Sequence, residues 1–194
     1  MLSWDALDPF RLMPAGVVTA AFLGIAKIDL RTAAQYTCEL PYGRNSDPND
    51  PLIVLVEKRG TCSTKHALLR RLASEQKLDI ALVLGIYEMT EGNTPGVGPI
   101  LQRHGLSHLP EAHCYLWTEG KHIDLTRAPS ARLVEPIARL LHEEEISPEQ
   151  ITHYKTAVHR RFLMKWMANN AGLSGLTLET VWEIREECIA RLSQ

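Results

Sequence analysis

Three short stretches hold the residue types needed for nucleophilic catalysis. Arg59-Gly60-Thr61-Cys62-Ser63-Thr64-Lys65-His66 places a cysteine where a loop turns into a helix. The first N–H groups of a helix have no intrahelical partners and carry partial positive charge, so they favour a thiolate over a thiol. Glu111-Ala112-His113-Cys114-Tyr115 then offers a base, and His122-Ile123-Asp124-Leu125 a carboxylate to orient it. Cysteine, histidine and aspartate in this order suggest a triad.

Such a triad needs a helix and a pair of strands to hold it. From Thr61 onward Ala67, Leu68, Leu69, Leu72 and Leu78 follow helical spacing, with a stop near Lys77. The apolar run Ile80 to Tyr87 reads as a strand buried on both faces. Ala112–Trp117 and Lys121–Thr126 read as strands joined by a tight turn at Glu119-Gly120. That turn pairs Thr118 with Lys121, Trp117 with His122, Tyr115 with Asp124 and His113 with Thr126. His113 and Asp124 become diagonal neighbours on one face, at roughly 7–8 Å between backbones. Cys114, Leu116, Ile123 and Leu125 form the opposite, apolar face, expected against the C-terminal helices.

The rest of the chain supplies the frame. Leu40 to Pro51 is dense in turn formers and reads as an ordered surface loop. Leu52 to Val56 is a β-branched run for which strand is preferred. Glu91 to Pro99 lacks the Gly-Lys-Ser/Thr ending of a phosphate-binding loop and reads as a lid or connector. Beyond Thr126 the pattern reads as helical. Ser147-Pro148-Glu149-Gln150 opens one helix, with Ile151, Tyr154, Val158, Phe162 and Trp166 as its apolar stripe. Thr177 caps another that runs from Leu178 to about residue 192.

A glycine-x-cysteine at the start of an apolar helix, a histidine strand and an aspartate strand, in that order, resemble the transglutaminase-like superfamily of papain-like thiol enzymes. Gly60, Thr61 and Cys62 match the cysteine block, and the stretches holding His113 and Asp124 match the two strands. The resemblance spans about Leu52 to Thr126. It implies an α+β fold in which the cysteine-bearing helix packs on a small, mainly antiparallel sheet with added C-terminal helices. It also implies that Cys62 is the nucleophile, His113 the general base and then acid, and Asp124 the residue that holds the imidazole. The sequence departs from the family where Cys114 follows His113 in place of an aromatic residue. Asn45 is the side-chain candidate for an oxyanion donor beside the Cys62 N–H.

The expected arrangement is one domain over 1–194, with a core at about 40–130 and a helical extension at about 131–194. The chain has 194 residues, 45% of them hydrophobic, which supports a real core. Its 21 basic and 23 acidic residues give a net charge of −2 and no bulk attraction to nucleic acid or anionic membranes. Four cysteines without close pairs suit a reducing, cytoplasmic setting. Leu12 to Ala26 is too short to span a bilayer and reads as a buried helix rather than a signal peptide.

Arg44, His66 and Trp117 are the substrate-binding candidates. Cys62 with His66, four residues on, could start a metal site, but its spacing and thiolate count are poor for zinc, so neither metal nor cofactor is expected. The basic residues Lys155, His159, Arg160, Arg161 and Lys165 read as a solvated helix face. The expected substrate is a peptide, amide or ester, and the expected reaction is hydrolysis or acyl transfer through a thioester. The alternative function is a catalytically silent binding or scaffold protein that uses the groove to hold a peptide or partner.

Overall fold

The structure is a computed structural model that describes residues 1–128, 135, 137, 139–173 and 175–192. The N-terminal apolar run folds into α1 (Val17–Gly24), followed by α2 (Leu30–Glu39), whose N-cap Asp29 accepts from the Thr32 N–H at 2.8 Å. The β-branched run expected as a strand is instead a short helix, α3 (Ile53–Glu57). Asp50 starts it: its carboxylate accepts from the Leu52 N–H at 2.8 Å and its carbonyl from the Ile53 N–H at 3.3 Å. Burial of Ile53, Val54 and Leu55 then outweighs their preference for a pleated backbone.

Helix α4 (Cys62–Glu75) begins with a reciprocal cap. Thr61 Oγ1 accepts from the Thr64 N–H, and Thr64 Oγ1 accepts from the Thr61 N–H at 3.0 Å. It stops at Gln76, and Lys77 takes the left-handed conformation at φ 57°.

The fold is α+β. The strands are β1 (Ala81–Met89), β2 (Leu109–Thr118), β3 (Lys121–Ile123) and β4 (Leu140–Ile146), antiparallel in the order β3-β2-β1-β4. The β2–β3 turn has positive φ at both central residues, 50° at Glu119 and 75° at Gly120, as a type I′ turn requires. Trp117 pairs with His122 and Thr118 with Lys121, the register that a two-residue turn dictates. The ladder stops at Leu116–Ile123, so the Tyr115–Asp124 and His113–Thr126 pairings read from the sequence do not form. Leu2 takes over β3 from outside, donating to His122 O at 2.7 Å and accepting from the Asp124 N–H at 2.9 Å.

Two further expectations are corrected. Leu140–Ile146, read as helical, is the strand β4 that pairs with β1, so the span expected as a helical extension also contributes to the sheet; residues 131–134 of that span lie outside the described ones. The apolar face of the hairpin packs not on the C-terminal helices alone but mainly on α4, α1 and α2, whose Leu68, Leu72, Phe22 and Ala33 join Cys114, Leu116, Ile123 and Leu125 in one core.

A second core forms where Tyr87, Met89 and Leu109 meet α5 (Gly98–Arg103), α6 (His153–Ala168) and α7 (Leu178–Arg191). The glycine-rich stretch before α5 is an ordered connector in which Glu91 accepts from the Gly96 and Gly98 N–H groups at 2.9 and 2.6 Å. Among the described residues no helix is long and apolar enough to cross a membrane.

Candidate active site

Cys62 is the first residue of α4, and its thiol faces the edge of β2 just beyond the point where β3 leaves. Without a neighbouring strand there, the Cys114 N–H is released from the ladder and donates to the Cys62 sulfur. His113 hydrogen-bonds the same sulfur. Its Nε2 lies 2.8 Å from Asp124 Oδ2, so Nδ1 is the nitrogen left for the thiol. Asp124 is in turn fixed through Oδ1, which accepts from the Thr126 N–H at 2.9 Å and the Thr126 hydroxyl at 2.6 Å. Cys62, His113 and Asp124, far apart in the chain, thus form one hydrogen-bonded line. Tyr87 and Tyr115 flank the His113 ring at 5.9 and 6.3 Å between centroids and restrict its rotation.

The electrostatics of this line favour an ion pair. Burial, at 7% exposure, pushes the Cys62 thiol up, but the Lys155 ammonium, the His113 imidazolium and the two hydrogen bonds outweigh it and bring the thiol down to about 6. Burial pulls His113 down, yet the Asp124 carboxylate and the Cys62 thiolate hold it well above its ordinary value. Asp124 is depressed despite its burial because His113 sits against it. The other cysteines go the opposite way: burial pushes Cys38 and Cys188 up to about 11 and raises Cys114.

His66, a substrate-binding candidate from the sequence, packs beside the site and does not line the cavity over Cys62. It is fully buried, its Nε2 accepting from the Leu125 N–H at 2.7 Å. Nδ1 therefore carries the proton and donates to Cys62 O, also at 2.7 Å. Burial holds His66 neutral, down to about 4. It bolts the cysteine turn to the residue after Asp124, and with both nitrogens engaged it has none to offer substrate or metal. Among the described residues no group of three or more His, Cys, Asp or Glu could hold a metal ion.

Asn45 lines the cavity over Cys62, but its amide hydrogens are taken by Glu57 Oε2 and Arg59 O, each at 3.0 Å. Its oxygen accepts from Thr64 Oγ1 at 2.7 Å. It braces the capping box and has no N–H left for an oxyanion. Trp117 lies at the hairpin end of β2, opposite His122, and does not line the cavity. Arg44 does line it, bound to Glu186 at 2.5 Å.

The cavity itself, about 250 Å³, lies between the Tyr42–Asn45 loop, the start of α4, α6 and α7. Its walls also hold Lys155, His159, Glu111 and Arg185, none of them among the site candidates drawn from the sequence. Lys155 is buried, with Nζ 2.8 Å from Ser63 Oγ and 3.6 Å from Cys62 Sγ. His159 is also buried and bonds Pro110 O at 2.8 Å, so the helix face read as solvated in fact points inward at these two positions. Glu111 takes both ends of the Arg185 guanidinium, at 2.8 and 2.5 Å, in a buried pair. The available signal was spacing: Lys155 stands four residues after the buried Ile151, just ahead of α6, and three before the buried Val158 within it. Tyr154 is exposed, while Phe162 and Trp166 pack against the two cores.

No family model, no curated protein and no solved structure matches this chain.

Proposed function

We propose that this protein carries out thiol-dependent acyl chemistry at an amide or ester carbonyl, in the manner of the transglutaminase-like enzymes that its sequence resembles. One observation carries the reading: His113 bridges the Asp124 carboxylate, at 2.8 Å, and the Cys62 sulfur, with Lys155 Nζ 3.6 Å from that sulfur, an arrangement that favours the thiolate. A buried cysteine kept for packing would be pushed the other way, as Cys38, Cys114 and Cys188 are.

The steps follow from the geometry. The Cys62 thiolate attacks the carbonyl carbon, forming a C–S bond as the carbonyl π pair moves to oxygen. His113, already protonated, gives its proton to the leaving nitrogen or oxygen as that bond breaks, and a thioester remains. Water then gives His113 a proton as it attacks, and the C–S bond breaks to restore the thiolate. Asp124 holds the ring in the orientation and tautomer that both transfers need. Water is the acceptor because no feature of the cavity marks an amine site. At about 250 Å³ the cavity is smaller than the roughly 300–1,000 Å³ typical of drug-sized ligands, so it suits a side chain or short acyl group.

Exposure to p-nitrophenyl acetate tests this. The expected results are release of p-nitrophenolate and an acetyl group mapped to Cys62, both absent in Cys62→Ala. Wild-type protein that is alkylated at Cys62 yet never acylated would contradict the reading.

A further inference from the structure

Lys155 has no place in a cysteine, histidine, aspartate scheme, yet it is a fully committed feature of the site. Its side chain is buried at 9% exposure, a costly position for an ammonium unless an anion compensates it. The groups around it are Ser63 Oγ at 2.8 Å, the Cys62 sulfur at 3.6 Å, the Cys114 thiol, which burial keeps protonated, and, farther off, Arg185 and Glu111, which already satisfies Arg185 with both oxygens. The thiolate, which His113 faces from its other side, is thus the anion within hydrogen-bond reach of this ammonium. Lys155 also lines the cavity that gives access to Cys62. Asn45, the side chain expected to provide an oxyanion donor, has no free hydrogen. The first N–H groups of α4 supply partial charge from one side only.

Resting on the acyl-chemistry reading, we infer that Lys155 is a further catalytic residue: a fixed cation that compensates the Cys62 thiolate at rest and the carbonyl oxyanion once that thiolate has attacked. When the C–S bond forms, the negative charge moves from sulfur to the carbonyl oxygen, one atom beyond the carbon under attack. An ammonium 3.6 Å from sulfur, with Ser63 holding one of its three hydrogens, can turn another toward that oxygen with no movement of the backbone. Lys155 keeps its proton throughout, since the leaving-group proton comes from His113 and the nucleophile starts ionised. Its role is electrostatic, and it is worth more in a buried site than in water.

The test compares two electrophiles on the same sulfur. Iodoacetamide is displaced at a saturated carbon and generates no oxyanion, whereas p-nitrophenyl acetate does, and its leaving group needs no acid. The ratio of acylation to alkylation rates at one pH cancels the thiolate fraction. In Lys155→Met we expect that ratio to fall by about 10²–10³, the usual cost of removing one oxyanion donor. In Asp124→Asn both rates should fall together, with the ratio kept.

Ser63→Ala, which removes only the anchor of the ammonium, gives a reading that does not depend on Lys155→Met folding: a several-fold lower ratio is expected. An unchanged ratio in Ser63→Ala, or in a folded Lys155→Met, would overturn the inference and leave Lys155 as a thiolate counter-ion. Wild-type protein that alkylates rapidly but is not acylated would instead remove the acyl-chemistry reading, and this inference with it.

Discussion

Replacing Asp124 with asparagine should disable the site by a specific rearrangement. Oδ1 of Asp124 accepts from two groups on Thr126, one of them a backbone N–H that can only donate, while Oδ2 faces His113 Nε2 at 2.8 Å. An asparagine has one oxygen to offer, and the Thr126 N–H claims it. Its NH₂ then faces Nε2, which must be unprotonated, so the imidazole is neutral with its proton on Nδ1 toward Cys62. The imidazolium that paired with the thiolate is lost.

A charge-assisted hydrogen bond is worth about 1.5–3 kcal/mol net, and each pKa unit corresponds to about 1.4 kcal/mol. Cys62 should therefore rise by about one to two units from about 6, with Lys155 and the Cys114 N–H still in place. At pH 7 the thiolate fraction would drop from about nine-tenths to between about one-half and one-tenth, and iodoacetamide alkylation would slow about two- to tenfold. Turnover of an unactivated amide or ester should fall further, by an additional 10²–10⁴, because no acid remains for the leaving group. Unfolding should cost about 2 kcal/mol less, a loss of roughly 4–8 °C in Tm for a chain this long. Stopped-flow alkylation across pH and thermal melts read all of these. An Asp124→Asn variant whose alkylation profile matches wild type would remove Asp124 from the mechanism.

The remaining predictions concern the groups that hold the site. His66 is held neutral in the fold, down to about 4, so between that value and about 6.5 the unfolded chain binds more protons and stability must rise with pH. His66→Leu should flatten that slope in denaturant titrations and cost about 1–3 kcal/mol from the orphaned Leu125 N–H. Glu111→Gln removes the carboxylate charge against Arg185 and leaves that guanidinium Glu186, at 2.7 Å, as its remaining anion, so chemical unfolding should show a loss of about 1.5–3 kcal/mol. Gly85→Ala would put a Cβ 2.8 Å from Tyr115 Cε1, against the ring that stacks on His113. It should lower stability by about 1–3 kcal/mol and slow Cys62 alkylation, both measurable on the same sample.

What the sequence revealed and what it hid divide along the range of the interactions. The Glu119-Gly120 turn sets the hairpin register from two adjacent residues, and the Thr61 cap fixes where α4 and its cysteine begin, so both could be read locally. Leu52–Val56 could not, because a five-residue apolar run has no period, and its burial with Asp50 at its head decides for helix. Leu140–Ile146 is rich in glutamate and reads as helix former, yet pairing with β1 makes it a strand. Lys155 and Ser63 meet across 92 residues, and Glu111 and Arg185 across 74. Spacing to Ile151 and Val158 marks the inward side for Lys155, but no local pattern shows which groups it meets there. His66 and Asn45 were visible as polar residues near Cys62. Which hydrogen bonds they spend on the backbone was not.

The central claim, that Cys62 is an ionised nucleophile while the other three cysteines are not, is tested most directly by a brief iodoacetamide pulse on native protein across pH 4–10 with peptide mapping. The expected result is that Cys62 labels first at every pH, with a rate that rises through a midpoint of about 6 and is near its plateau at pH 7. First labelling at Cys38, Cys114 or Cys188, or a Cys62 midpoint near the ordinary thiol value of about 8.5, would contradict it.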